Sequence, residues 1–337
     1  GNTGFKGSWL SLWLYRRGAQ VRGYSLRPPT VPSMFKRCRL EKLYRTVTAD
    51  VRDYGTLKPE LASFKPDIVF HLAAQPLVLQ SYKSPLLTYA TNVLGTANLL
   101  EAALHVPSVK AVINVTSDKC YANSGRSRRF VETDRLGGSD PYSSSKACAE
   151  LVSAAYLASF YSNSEGKGLA SARAGNVIGG GDWAADRLLP DFFRAAQKTE
   201  TLLLRNPEHI RPWQHVLEPL RGYLLLGEKL FRNPSRYHGG WNFGPIRSDC
   251  RSVREVIALA ASHWGKSAKY RAATSPVRHE APRLELDAGK AAAKLGWKPK
   301  WRLETAICKT VDWHKASLEG RDMLDYTLTQ IAEYEDR

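Results

Sequence analysis

Tyr142 and Lys146 stand four residues apart, which on a helix places both on one face and lets them approach the same ligand hydroxyl. A phenol whose proton affinity is lowered by a nearby ammonium can remove a hydroxyl proton as hydride departs, so the pair suits redox chemistry on an alcohol. About two dozen residues earlier, Thr116-Ser117-Asp118-Lys119 follows the apolar run Val109 to Val115. There Ser117 can donate to the same substrate oxygen as Tyr142. Asp118 can protonate a leaving hydroxyl if a closed site raises its proton affinity, and a neutral Lys119 can take an acidic carbon-bound proton. Without Tyr142, Asp118 and Lys119 would read as a strand-end ion pair. With it, the set suits a dehydration in which hydride leaves a sugar and later returns to it.

These groups need a dinucleotide and a frame. The chain opens on Gly1-Asn2-Thr3-Gly4-Phe5-Lys6-Gly7, whose glycine spacing lets backbone turn closely around a pyrophosphate at a helix N-terminus. Gly1, Gly4, Phe5, Lys6 and Gly7 are therefore cofactor-binding candidates. Asp50 and Val51 are placed to contact an adenine edge, and Ala73, Ala74 and Gln75 end an apolar strand with small side chains that leave space. Lys146 can also reach the nicotinamide ribose. No acid follows the second strand; Arg27 stands there, either exposed before Pro28 or facing the extra phosphate of NADP.

The elements alternate in α/β order. Strands are expected at Gln20–Ser25, Asp67–Ala74, Val109–Val115 and Gly168–Ala174, with helices at Ser8–Arg17, Pro85–Leu104 and from Tyr142 toward Phe160. Further helices are expected at Arg187–Lys198, Glu218–Phe231, Val253–His263 and Leu303–Glu319. The expectation is a doubly wound parallel sheet of the NAD-binding Rossmann type with a smaller C-terminal substrate lobe. Residues 1–175 are mainly the dinucleotide-binding domain and 176–337 mainly the lobe, with some segments returning to the sheet. A glycine loop of this kind normally follows a buried first strand, and its absence here suggests a chain truncated before Gly1.

Composition narrows the alternatives. Of 337 residues, 43% are hydrophobic and 24% charged, ordinary for a soluble globular protein, and no run has the length of a membrane span. The net charge of +17 is compatible with an anionic small substrate. Its basic residues are dispersed, not grouped with aromatics as in a nucleic-acid module. Cys38, Cys120, Cys148, Cys250 and Cys308 lack the paired spacing of a zinc site, so no metal is expected.

The sequence resembles the CDP-D-glucose 4,6-dehydratases of the extended short-chain dehydrogenase/reductase superfamily over nearly its whole length. The resemblance rests on Gly4-Phe5-Lys6-Gly7-Ser8-Trp9-Leu10, Ala74-Gln75-Pro76-Leu77-Val78, Thr116 to Tyr121, Asp140-Pro141-Tyr142-Ser143, Arg173 to Trp183, Ile210 to Pro219 and Trp241 to Pro245. It implies NAD as cofactor, CDP-D-glucose as substrate, a homodimer or higher homo-oligomer in the cytoplasm, and a place in deoxysugar supply for surface polysaccharide. It also implies that Ser117, Asp118, Lys119, Tyr142 and Lys146 form the catalytic set, with Lys119 where relatives often carry glutamate. The substrate-binding candidates are Asn176, Arg187, Arg211, Arg278 and His279, the arginines because a guanidinium presents forked donors to phosphate. Arg173 can instead hold a buried loop. Asn2, Leu79 and Arg27 depart from the family pattern of histidine, arginine and aspartate. A sugar-nucleotide 4-epimerase, another 4,6-dehydratase or a catalytically silent nucleotide-sugar-binding protein are the alternatives.

Overall fold

The computed structural model describes residues 1–123, 125, 128–265, 268–273 and 281–336. Four parallel strands form the central sheet in the order Gly239–Phe243, Gly168–Ala174, Ala111–Val115, Ile68–His71. The two middle strands are buried along their full length, which is why both read as mainly apolar and small residues, the buried exceptions Asn114 and Arg173 being hydrogen-bonded. Ala111, Ile113 and Val115 face a core shared with Trp9, Trp13, Leu220 and Tyr223, whereas Val112 faces Leu99, Leu100 and Tyr161 on the other side. The alternation follows from the two-residue period of a strand, and it sandwiches the sheet between two helical layers.

A second parallel pair, Gly23–Ser25 with Thr46–Thr48, lies beyond the Ile68–His71 edge. Gly1 stands between the two sheets: its N–H donates to the Tyr24 carbonyl at 2.5 Å, and its Cα packs against the backbone of Leu72 and Ala73. That packing accounts for one departure from expectation. The strand ends at His71 instead of Ala74, and Leu72 to Ala74 approach the glycine loop.

Helix Phe5–Arg16, with Gly4 at its N-cap, begins three residues earlier than its apolar pattern implies, and buries Trp9, Leu10, Leu12 and Trp13. The single helix expected over Pro85–Leu104 is instead Pro85–Tyr89, a π-type turn Ala90–Leu94, and Gly95–Leu104. The turn has a physical cause. Asn92 reaches out of it to accept from the Gln75 N–H at 2.8 Å and to donate to both the Gln75 carbonyl and Ser145 Oγ. Helix Pro141–Ser159 starts with proline in its first turn behind the Asp140 cap, a favourable N-terminus.

Beyond Ala174 the chain builds a smaller unit. Helices Leu188–Gln197, Val253–Trp264 and Leu303–Leu318 enclose Phe192, Phe193, Trp213, Ile257 and Val311. Strand Ile210–Pro212 pairs antiparallel with Cys250–Ser252. Helix Leu217–Arg232 and strand Gly239–Phe243 return to the central sheet, and a last helix, Met323–Glu335, packs near Trp13 through Tyr334.

Candidate active site

The carboxyl end of Ala111–Val115 delivers Thr116 and Ser117 into a short turn, Asp118–Cys120, against the first turns of helix Pro141–Ser159. Ser117 Oγ accepts from the Lys119 N–H at 3.2 Å and donates to Asp118 Oδ1 at 3.0 Å. Ser117 also lowers the proton affinity of the Tyr142 phenol, so the serine acts on both candidate proton-transfer groups.

Asp118 is 2% exposed, and its other oxygen, Oδ2, has no hydrogen-bond partner. Burial raises the proton affinity of this carboxyl, opposed by Lys119, Ser117, Arg211 and Lys6. A buried carboxyl of raised proton affinity is suited to donate a proton, and an oxygen without a partner has a free direction in which to act. Gly175 supplies the space: a Cβ there would lie 3.0 Å from Asp118 Oδ2 and 2.4 Å from Pro212.

Tyr142 is buried, and burial first, then Asp118, pushes its phenol up to about 12. Lys146 is pushed down to about 8 by burial, opposed by Glu150 and Cys120, and its Nζ lies 3.4 Å from the Val115 carbonyl. An ammonium therefore prevails at neutral pH beside a phenol that keeps its proton at rest.

The glycine loop passes a fit test for a dinucleotide. A Cβ on Gly7 would come within 2.0 Å of the Gly1 carbonyl oxygen, and one on Gly1 within 2.5 Å of the Ala73 nitrogen, so both positions are closed by the protein itself. Gly4 differs, because a Cβ there would meet only the Gly1 oxygen at 3.6 Å. Its missing side chain leaves open space at the start of a twelve-residue helix that has no side-chain cap and no acid in its first turn. This suits an anionic pyrophosphate.

Phe5 packs toward Gly179. Lys6 leaves the loop for the pocket around Asp118 and Lys146, where its Nζ lies 3.4 Å from Tyr223 Oη and is pushed down to about 7 by burial, Arg187 and Lys146. That reach across the fold is not visible from the loop motif.

Other candidates divide into those facing the pocket and those engaged elsewhere. The Asp50 carboxylate is held by the Arg52 guanidinium and N–H, while Val51 is buried against Gly95. Ala73 and Ala74 line the turn after the strand. The Gln75 carboxamide is committed to Leu77 and Thr88, so it braces the loop. Arg187, bonded to Asp182 at 2.9 Å, acts electrostatically on Tyr142 and Lys6. Arg211 is buried, donates to the Ile210 carbonyl at 3.0 Å, contacts His209 Nδ1 at 3.1 Å and acts on Asp118. Asn176 follows Gly175 and accepts from the Gln214 N–H through its carbonyl. Arg278 and His279 lie outside the described residues. Arg27 is exposed.

One group that sequence reasoning did not single out, Glu150, lies directly behind Tyr142 and Lys146. Glu150 accepts from Arg173 Nη2 at 2.7 Å and from Thr116 Oγ1. Its spacing of four from Lys146 was the available signal. Among the described residues no three His, Cys, Asp or Glu side chains gather as a metal site.

The family described as GDP-mannose 4,6 dehydratase matches residues 1–310. A CDP-glucose 4,6-dehydratase of Salmonella typhimurium is 48% identical over 338 aligned residues, covering 99% of this chain and 94% of that protein. Among solved structures, the UDP-glucose 4-epimerase of Thermus thermophilus in complex with NAD superposes with a TM-score of 0.80 at 26% identity, covering 94% of this chain and 98% of that one. The dTDP-glucose 4,6-dehydratase DesIV of Streptomyces venezuelae, with NAD and TYD bound, gives 0.77 at 25% identity, covering 96% and 98%.

Proposed function

We infer the function from one premise: this chain belongs to the family described as GDP-mannose 4,6 dehydratase. The reaction is the conversion of CDP-D-glucose to CDP-4-dehydro-6-deoxy-D-glucose and water, an NAD-dependent lyase activity. The observation that carries it is Asp118, a buried carboxyl of raised proton affinity with one unpartnered oxygen, bonded to a Ser117 that also acts on Tyr142. An epimerase, the reaction of one structural relative, needs the tyrosine and lysine but has no water to expel.

Gly1, Gly4, Phe5, Lys6 and Gly7 would hold the dinucleotide pyrophosphate, with Asp50, Val51, Ala73, Ala74 and Gln75 along the adenosine side. Bound NAD supplies the hydride acceptor and gives the hydride back within one turnover. Tyr142 Oη removes the C4 hydroxyl proton, and Ser117 aligns that hydroxyl. The resting phenol sits at about 12, so its own proton must first pass to solvent; the Lys146 ammonium and the positive charge of a bound oxidised dinucleotide would favour the phenolate, which then accepts the C4 hydroxyl proton as hydride departs. The C4 ketone acidifies C5–H. Lys119 Nζ takes that proton, and Asp118 donates to the departing C6 hydroxyl. Arg187, Arg211 and Asn176 bind the substrate, and Arg278 and His279 complete that set.

NAD is favoured over NADP because the relatives bind NAD and Arg27 is exposed. Residues 1–175 serve mainly the dinucleotide and 176–337 mainly the sugar nucleotide. A homodimer is supported by Leu86, Leu87, Leu94 and Leu151, exposed apolar residues on helices that pack together beside the pocket. No helix of the described residues is long and apolar enough to cross a membrane.

Incubation with CDP-glucose and catalytic NAD, followed by mass measurement, tests the reading. Loss of one water supports dehydration, whereas unchanged mass with an altered sugar supports epimerisation. The same assay with dTDP- and GDP-glucose tests the choice of base.

A further inference from the structure

We propose that Glu150, clamped between Arg173 and Thr116, is a positioning residue that keeps Lys146 an ammonium and locks the catalytic helix to the strand end carrying Ser117 and Asp118. This rests on the reading of Tyr142 and Lys146 as the catalytic pair.

The geometry has three parts. Glu150 lies one helical turn beyond Lys146, as Lys146 lies one turn beyond Tyr142, so the three share a face of helix Pro141–Ser159. One carboxylate oxygen accepts from Thr116 Oγ1, on the residue just before Ser117. The other accepts from Arg173 Nη2 at 2.7 Å, at side-chain exposures of 5% and 3%. Arg173 is itself fixed, donating through Nη1 to Tyr121 Oη at 2.7 Å and to the Glu132 carbonyl at 3.1 Å. Gly240 admits it, since a Cβ there would lie 2.6 Å from Nη2. The carboxylate is thus held from two neighbouring strands and cannot swing away.

An anion fixed here matters because Lys146 is otherwise in poor company. Its own helix presents Tyr142 and Glu150, the turn after Ala111–Val115 presents the Cys120 thiol, helix Phe5–Arg16 presents Lys6, and strand Ile68–His71 presents His71. Lys6 is cationic when protonated and opposes a second ammonium. Burial does the same, and Glu150 is the main group acting in the other direction.

Removing the negative charge lowers the proton affinity of Lys146, so its ammonium is lost at lower pH. The NAD-loaded enzyme carrying E150Q is assayed with CDP-glucose from about pH 6 to pH 10, a range that spans Lys146. The basic limb of the rate profile is expected to move down by about one pH unit. E150Q leaves Arg173 as a buried unpaired cation, so E150Q/R173M, which removes both charges, is measured beside it and is expected to show a smaller shift in the same direction, because loss of the Arg173 cation partly offsets loss of the nearer Glu150 anion. E218Q is the control for a merely structural carboxylate, because Glu218 is buried against Lys300, Trp301 and Tyr334, and its profile is expected to stay in place. A profile unchanged in E150Q, or one that moves further in the double variant than in E150Q, overturns the proposal. Y142F separates the two layers: if it keeps full activity, the catalytic reading fails, whereas an inactive Y142F with an unmoved E150Q profile sinks the Glu150 role alone.

Discussion

Asp118 spends one carboxylate oxygen on the Ser117 hydroxyl, at 3.0 Å, and keeps the other buried without a partner. The relationship separates two tasks on one side chain. The bonded oxygen fixes the orientation relative to Tyr142, and the free one is available to a substrate hydroxyl.

D118N should therefore stop water loss while sparing the earlier proton steps. The expected fall in product formation is about 100-fold or more. Exchange of the C5 proton with solvent deuterium, followed by NMR on the recovered sugar, should persist. Equal loss of exchange and elimination would mean that Asp118 acts before C5 is deprotonated.

The two kinds of glycine in the loop predict different damage. G7A forces backbone apart at the Gly1 carbonyl and should cost about 1–3 kcal/mol of stability along with cofactor affinity. G4A meets only an ordinary contact and should cost under about 1 kcal/mol, yet weaken NAD binding about tenfold or more. Thermal unfolding and NAD titration of both variants check the contrast.

Three buried histidines make the fold acid-sensitive. His71, His215 and His314 are each pushed down to about 3, in every case first by burial. Their affinity for protons is depressed in the folded state, so between about pH 6.5 and 3 the unfolded chain binds more protons, and stability falls as pH drops through that window. At pH 5 the loss is on the order of 2 kcal/mol for each histidine. Urea midpoints at pH 7.5 and 5 measure it, and H314Q should flatten the difference between them.

L94E places a charge on the exposed apolar face formed by the helices around Leu86, Leu94 and Leu151. If the proposed homodimer forms through this face, sedimentation shows a dimer for the wild type and a monomer for L94E. An unchanged mass would place the contact elsewhere.

What could be read from sequence follows from how local each signal is. Gly168–Ala174 is legible to the residue because both faces are covered and glycines flank the run. Ser117, Asp118, Tyr142 and Lys146 could be singled out because the chemistry proposed for them depends on spacing within two short segments, and the structure brings those segments together. The π-turn at Ala90–Leu94 is not, because it exists to let Asn92 reach Gln75 and Ser145, partners that no propensity encodes. Lys6 belongs to the loop in sequence and to the catalytic pocket in space, where it meets Tyr223. Glu150 and Arg173 form one pair from two elements, visible only once strand register is known. Helix Met323–Glu335, capped by Asp322, carried an N-terminal signal that went unread.

The central claim is that one pocket removes hydride from a sugar carbon and restores it to a neighbouring one after water has left. CDP-glucose deuterated at C4 tests this directly. The account predicts a 4-keto-6-deoxy product with the deuterium at C6. Product carrying no deuterium at C6, or a sugar of unchanged mass that retains it at C4, would contradict the account.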